Sequence, residues 1–178
     1  MWWFFKRKQK SVNNEPQKSV KSEPTIFRSF ATLRDSIFAA SGGSRAWPPI
    51  RLKQHLELLS RHYPLWIDDD YRFVIVGRVR LPPGYDFREA SLLIELPQDY
   101  PVTPPGVGEH KVYVCPQLRF RGRRLEDQHP ERMPWFLTPG FGPWAWWCYQ
   151  RIHWLPNRDD LVRLVEMIRA DMINPRTL

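Results

Sequence analysis

The first periodic stretch of the chain is "TIFRSFATLRDSIFAAS" (25–41), where Ile26, Phe27, Phe30, Leu33, Ile37 and Phe38 recur at helical intervals. Paired Gly and paired Pro in "GGSRAWPP" (42–49) end that pattern. A second helical stripe follows in "IRLKQHLELLSRHY" (50–63), carried by Leu52, Leu56 and Leu59. The period then changes to two. Across 71–81, Phe73, Ile75 and Val79 fall on one side and Arg72, Arg78 and Arg80 elsewhere, which predicts a strand. "PPGYD" turns the chain, "SLLIELP" (91–97) predicts a second strand and "KVYV" (111–114) a third. Residues 116–143, rich in Pro, Gly and Arg, have no period and read as a long loop. Beyond Trp154-Leu155-Pro156 the helical period returns over 157–172, with Leu161, Leu164, Val165, Ile168 and Met172 as the inner stripe. Asn157 or Asp159 can cap this helix, and acidic residues in its first turn suit the helix dipole. The order predicts an α+β fold: an N-terminal helix, an antiparallel meander, a long irregular segment and a C-terminal helix.

Composition narrows this picture. The 178 residues suit one domain with a tail: a disordered basic tail over 1–24, an N-terminal helix and linker over 25–49, and a folded domain over 50–178. The net charge of +8 invites a nucleic-acid reading, but residues 1–24 hold six Lys/Arg against two Glu, so half the excess sits in the tail. The basic burst "RFRGRR" (119–124) lacks regularly spaced stacking aromatics and reads as a solvated loop, so no nucleic-acid partner is expected. No apolar run reaches membrane-spanning length. The opening "MWWFFKRKQK" supports at most a weak interfacial membrane contact through residues 1–10. Cys115 and Cys148 cannot build a disulfide framework, and a cytoplasmic location is the expectation. No C-x-x-C or H-x-x-x-H spacing points to a metal, and no Gly-rich phosphate loop points to ATP activation, so no metal or cofactor is expected.

Three rigid turn elements stand close together in "LLIELPQDYPVTPPGV": Leu96-Pro97, Tyr100-Pro101 and Pro104-Pro105. Downstream come His129-Pro130-Glu131, then Cys148, then Trp154-Leu155-Pro156 opening a helix. This succession resembles the ubiquitin-conjugating enzyme family, and most of all its divergent bacterial branch, whose members are encoded beside ubiquitin-like proteins, activating enzymes and metal-dependent peptidases. The resemblance covers about residues 50–172. It implies a UBC-like fold: a helix, a meander of about four strands, an irregular active-site segment and a C-terminal helix. It also implies a function: Cys148 would accept a ubiquitin-like protein as a thioester from a separate activating enzyme and pass it to an amine of a target protein. Such a bacterial conjugation system would fit antiviral defence. The chain departs from the family at Glu131, which stands where the family has an asparagine that helps stabilise an oxyanion. An anion opposes that role. The gap from Pro105 to Cys148 is also longer than in the eukaryotic enzymes.

Cys148 has two readings. A thiolate suits acyl transfer, because a thioester both forms from another thioester and yields readily to an amine. A small buried thiol among Trp146, Trp147 and Tyr149 would instead be a packing residue, leaving a catalytically inactive UBC-like variant that binds a ubiquitin-like protein or scaffolds a conjugation complex. Cys115, ten residues beyond the double proline, sits early for the nucleophile and reads as strand-end packing. His153, five residues past Cys148, could lower the thiol's pKa when protonated, or be an ordinary edge histidine. His129, by the resemblance, would stiffen the loop. Asp159, by the resemblance, would orient an incoming lysine, and by itself would complement the helix dipole.

Overall fold

Leu52, Leu56 and Leu59 are the buried stripe of helix α1 (Ile50–Ser60), as their spacing predicts. The computed structural model describes residues 27–30, 50–108, 110–132, 140–149 and 153–178. Within these, the strands are β1 (Phe27–Ser29), β2 (Leu65–Asp68), β3 (Phe73–Arg80), β4 (Glu89–Glu95), β5 (Val112–Val114), β6 (Gln128–His129) and β7 (Ala145–Trp147), and helix α2 (Leu161–Asp171) follows them. They form one seven-stranded sheet in the order β1-β2-β3-β4-β5-β7-β6, with every pairing antiparallel.

The α+β expectation holds, but the sheet has seven strands rather than about four. One extra strand comes from the start of the stretch predicted as a helix over 25–41. Phe27, Arg28 and Ser29 pair with Asp68, Ile67 and Trp66 instead. Their helical spacing is overridden by an open sheet edge that offers backbone partners. The remainder of that predicted helix, the linker to residue 49 and the basic tail lie outside the described residues, apart from Phe30 and its buried ring. Another is β2, between α1 and the first predicted strand, and the last two are β6, inside the stretch predicted as a loop over 116–143, and β7 just beyond it. These last two are too short for a period to register in the sequence.

The two helices cover one face. Their leucines meet Val74, Val76 and Val79 of β3, Leu92 and Ile94 of β4, Val112 and Val114 of β5, and Trp147 of β7. Each fully buried leucine or isoleucine contributes about 1.5–3 kcal/mol. The opposite face carries a smaller cluster of Phe73, Ile75, Leu93, Tyr113 and Trp144, flanked by Phe27, Trp66, Phe141 and Trp146. Val79 departs from the alternation that groups it with Phe73 and Ile75. The β3–β4 register shifts by one between Val76↔Leu92 and Val79↔Ala90, and this bulge turns Val79 onto the helix side. Arg78, at φ 55°, takes up the bulge, and Gly77 leaves room for Trp66, whose ring lies 2.8 Å from where a Cβ would stand.

Helix α2 begins later than the predicted 157. Its cap is Asp160, whose Oδ1 accepts from the Arg163 N–H at 2.8 Å, and not Asn157 or Asp159. No acidic residue lies in its first turn.

Buried Asp68 closes β2 by accepting the Phe73 N–H at 2.7 Å across the β2–β3 turn. Burial pushes its carboxyl from 3.8 up to about 6, against the pull of its backbone hydrogen bonds. A raised folded pKa means that the stability is fully present below the unfolded value and is lost as pH rises through the folded one. Between about pH 4 and about pH 7 the native chain should therefore lose about 2 kcal/mol relative to Asp68→Asn, read from urea unfolding of both at each pH. A constant difference across that range would contradict the assignment.

Candidate functional site

Around Cys148 the side chains alternate. Ala145, Trp147 and Tyr149 are buried, while Trp146 and Cys148 are half-buried. Trp147 and Tyr149 pack into the main core and Trp146 flanks the smaller cluster, so the two-residue period puts Cys148 on the side away from the helices. The crowd of aromatics is therefore split between the two faces. Trp147 and Tyr149 anchor the strand from behind and do not cover the thiol.

The backbone of Cys148 is held by β6. Its N–H donates to the Asp127 carbonyl at 2.8 Å, extending the ladder in which Gln128 faces Trp147 and His129 faces Trp146. In that register His129 is the diagonal neighbour of Cys148, about 7 Å away by ordinary strand geometry. The Asp127 carboxylate is nearly buried and is clasped by Arg176, through Nη2 to Oδ1 and through Nε to Oδ2 at 3.4 Å. The Asp127 hydrogen bond and charge, then Glu126, then Cys148 itself, hold the Arg176 guanidinium above its usual range, so this cation lies within electrostatic reach of the sulfur.

A second set of bonds joins this strand to the Tyr-Pro and Pro-Pro turns. The Tyr149 hydroxyl donates to the Pro105 carbonyl at 2.6 Å, and Trp154 Nε1 donates to the Pro101 carbonyl at 2.8 Å. Gly106, at φ +88°, lies directly beneath Tyr149. A Cβ there would stand 2.3 Å from the Tyr149 hydroxyl, so only glycine fits. Tyr100 is buried under α1, where its hydroxyl and His55 Nδ1 share a 2.6 Å hydrogen bond. Burial raises the Tyr100 pKa far up and lowers that of His55, with Asp160 opposing the latter, so both groups stay neutral near pH 7.

The remaining sequence-derived candidates lie as follows. His129 stacks beside Trp146, with ring centroids 5.0 Å apart, and bonds the Glu131 side chain at 3.1 Å. Glu131 is exposed, and its own backbone hydrogen bond, followed by the His129 contact, lowers its pKa and keeps it ionised. His153 is exposed and bonds none of the described residues. Asp159 Oδ2 accepts the Leu155 N–H at 2.6 Å and so shapes the turn ahead of α2. Among the described residues no hydrogen bond or ion pair joins His153 or Asp159 to Cys148. Cys115 packs against the main core and its thiol donates to Gln117 Oε1 at 2.8 Å. The described residues contain no group of three His, Cys, Asp or Glu able to hold a metal ion, and none of their helices is long and apolar enough to cross a membrane.

Lys111 and Arg132 each lie 4.7 Å from the Trp146 ring centroid, giving the face that Cys148 shares a basic, aromatic surround. Sequence reasoning missed Asp127, Arg176, Gly106 and the Tyr149–Pro105 bond. The only local signal was "LEDQ", an acidic pair directly after the arginine burst. No protein family, curated protein or solved structure matches the chain.

Replacing Tyr149 with Phe removes one buried hydrogen bond and leaves the Pro105 carbonyl bare, which should cost about 1–2 kcal/mol in urea unfolding. Gly106→Ala should cost more, since both the backbone and the Tyr149 ring oppose it. For His55 the sign runs the other way from Asp68. Its depressed folded pKa means that protonation favours unfolding, so stability should fall as pH drops below 6.5, the ordinary histidine value. In His55→Gln that acid-side loss should be smaller, as followed by thermal melting between about pH 5 and about pH 8.

Proposed function

We propose that the chain is a ubiquitin-conjugating-like protein that carries a ubiquitin-like protein on Cys148. The observation that carries this reading is the way Cys148 is presented. It is a half-buried thiol facing away from the core, on a strand whose flanking residues bond the Tyr-Pro and Pro-Pro turns. In the reaction, the Cys148 thiolate attacks the thioester carbonyl of a loaded activating enzyme, and that enzyme's cysteine leaves as thiolate. An amine of the target protein then attacks the new thioester, Cys148 leaves as thiolate, and the amine's surplus proton passes to solvent or a base. The chain supplies the nucleophile and its positioning, and the ATP-dependent step belongs to the partner.

A second reading, an inactive scaffold of the same kind, is favoured by Glu131. Its ionised carboxylate bonds His129, the diagonal neighbour of Cys148, where a developing oxyanion would want a donor. The rate of thiol alkylation in the native state separates the two, since an inactive packing cysteine reacts only on unfolding.

Incubated with its activating enzyme, ATP and the ubiquitin-like protein, the native chain should form an adduct on a non-reducing gel that thiol reductant removes. Cys148→Ser should form no thiol-sensitive adduct, while Cys115→Ser should form it as the native chain does. A thiol-sensitive adduct that persists in folded Cys148→Ser would sink the proposal.

A further inference from the structure

The arginine burst predicted as a solvated loop is built into the fold. Phe120 and Arg123 exchange two backbone hydrogen bonds of 3.0 Å around Arg121 and Gly122, which sit at φ 52° and 75°. Positive φ at both central positions makes this a tight two-residue hairpin, with glycine at one of them. The hairpin is braced from outside. The Arg121 N–H donates to the Gly84 carbonyl at 2.7 Å, and the Phe120 ring packs on Gly84, whose Cβ, if it had one, would stand 2.5 Å away. Tyr85 meets the same ring edge-on at 5.3 Å.

Facing this hairpin is the 175–178 segment, which pairs with 124–126. Glu126 N–H donates to the Arg176 carbonyl and Leu178 N–H to the Arg124 carbonyl, each at 3.0 Å, about the Leu125↔Thr177 bridge. Side chains of an extended segment alternate. Arg176 turns towards Asp127 and Cys148, while Pro175 and Thr177 turn the other way. With Phe120, Arg121 and Arg123 they line a cleft of about 440 Å³.

The charge of that cleft is unbalanced. Arg119 spends one nitrogen on the Pro116 and Leu118 carbonyls, and Arg121 lies 5.2 Å from the Phe120 ring centroid. Arg123 and Arg124 have no carboxylate partner among the described residues, and the nearest acids in sequence, Glu126 and Asp127, are both engaged by Arg176. Two exposed arginines and a threonine lining one cleft suit an oxyanion, which accepts hydrogen bonds from several directions. The Phe120 ring is already occupied by Gly84, Tyr85 and Arg121, so stacking of a base is not the basis of recognition. The volume is that of a small-molecule site rather than a strand-length groove.

We propose that the cleft between the 120–123 hairpin and the 175–177 strand is a binding site for a small phosphate-bearing ligand, held by Arg121, Arg123 and Thr177. This site stands independently of the thiol chemistry, on the other side of the strand from Cys148.

The test is calorimetric titration of the full chain with inorganic tripolyphosphate near physiological salt. The native protein should bind it saturably at one site. Arg123→Gln, an exposed change, should weaken binding at least tenfold, and Arg121→Gly, which keeps the positive φ, should do the same. A control that removes two exposed arginines elsewhere, Arg88→Gln with Arg158→Gln, should bind as the native chain does. Equal weakening in the control and the hairpin variants would mean general charge attraction and would overturn the proposal. So would a DNA duplex of about 20 base pairs that binds through Arg123 more tightly than tripolyphosphate at equal phosphate concentration, since the cleft would then be a nucleic-acid contact.

Discussion

The hydrogen bond from the Tyr149 hydroxyl to the Pro105 carbonyl ties together two segments that lie 44 residues apart in the chain. Much of the molecule's organisation depends on it. Pro105 has no N–H to place in a ladder, and its carbonyl is buried beside other prolines that cannot donate, so a side-chain donor is the available partner. Tyr149 can reach it only because Gly106 has no Cβ. The same strand is fixed on its other edge by the Cys148 N–H to Asp127 bond, and Trp154 adds a further tie to Pro101. Three bonds from different elements thus determine where Cys148 stands, and none of them uses its sulfur.

That division of labour explains why so many aromatic side chains surround one thiol. Along Ala145–Tyr149 the large residues alternate between two hydrophobic layers. Trp147 fills the helix-side core and spends its indole N–H on Asp171 at 3.2 Å. Trp146 goes to the opposite face, where Lys111, Arg132 and His129 surround its ring. Cys148, next along the chain, is half-buried and belongs to neither cluster. Tryptophan is costly to bury without a partner for its N–H. Here the expense secures a short strand that three residues of backbone pairing could not hold by themselves.

The elements legible in the sequence were those whose apolar faces are long enough to repeat. Leu52, Leu56 and Leu59 disclosed α1, and the Leu161–Ile168 stripe disclosed α2. The central strands β3 and β4 also stood out. Of the two- and three-residue strands β5 was expected, from "KVYV", whereas β1, β6 and β7 were not, because a period needs more than one repeat to register and their pairing is set by partners far away in the chain. The bulge at Gly77 and Arg78 shows a different limit: one inserted residue reverses the face of everything after it, so Val79 could not be placed by counting. At the candidate site, Cys148 and His129 were legible by residue type. Asp127 and Arg176 were not, because their value lies in being close together across 49 residues of sequence.

Residues 175–178 therefore hold more than their position near the end of the chain suggests. As a short extended strand they present alternate side chains to two different environments. Arg176 neutralises the nearly buried Asp127, whose backbone carbonyl anchors Cys148, while Pro175 and Thr177 close one wall of the basic cleft. A buried carboxylate left without its cation would draw in water, and that change would loosen the β6–β7 ladder at Cys148. The thiol's environment is thus tied to the pairing of this strand with residues 124–126.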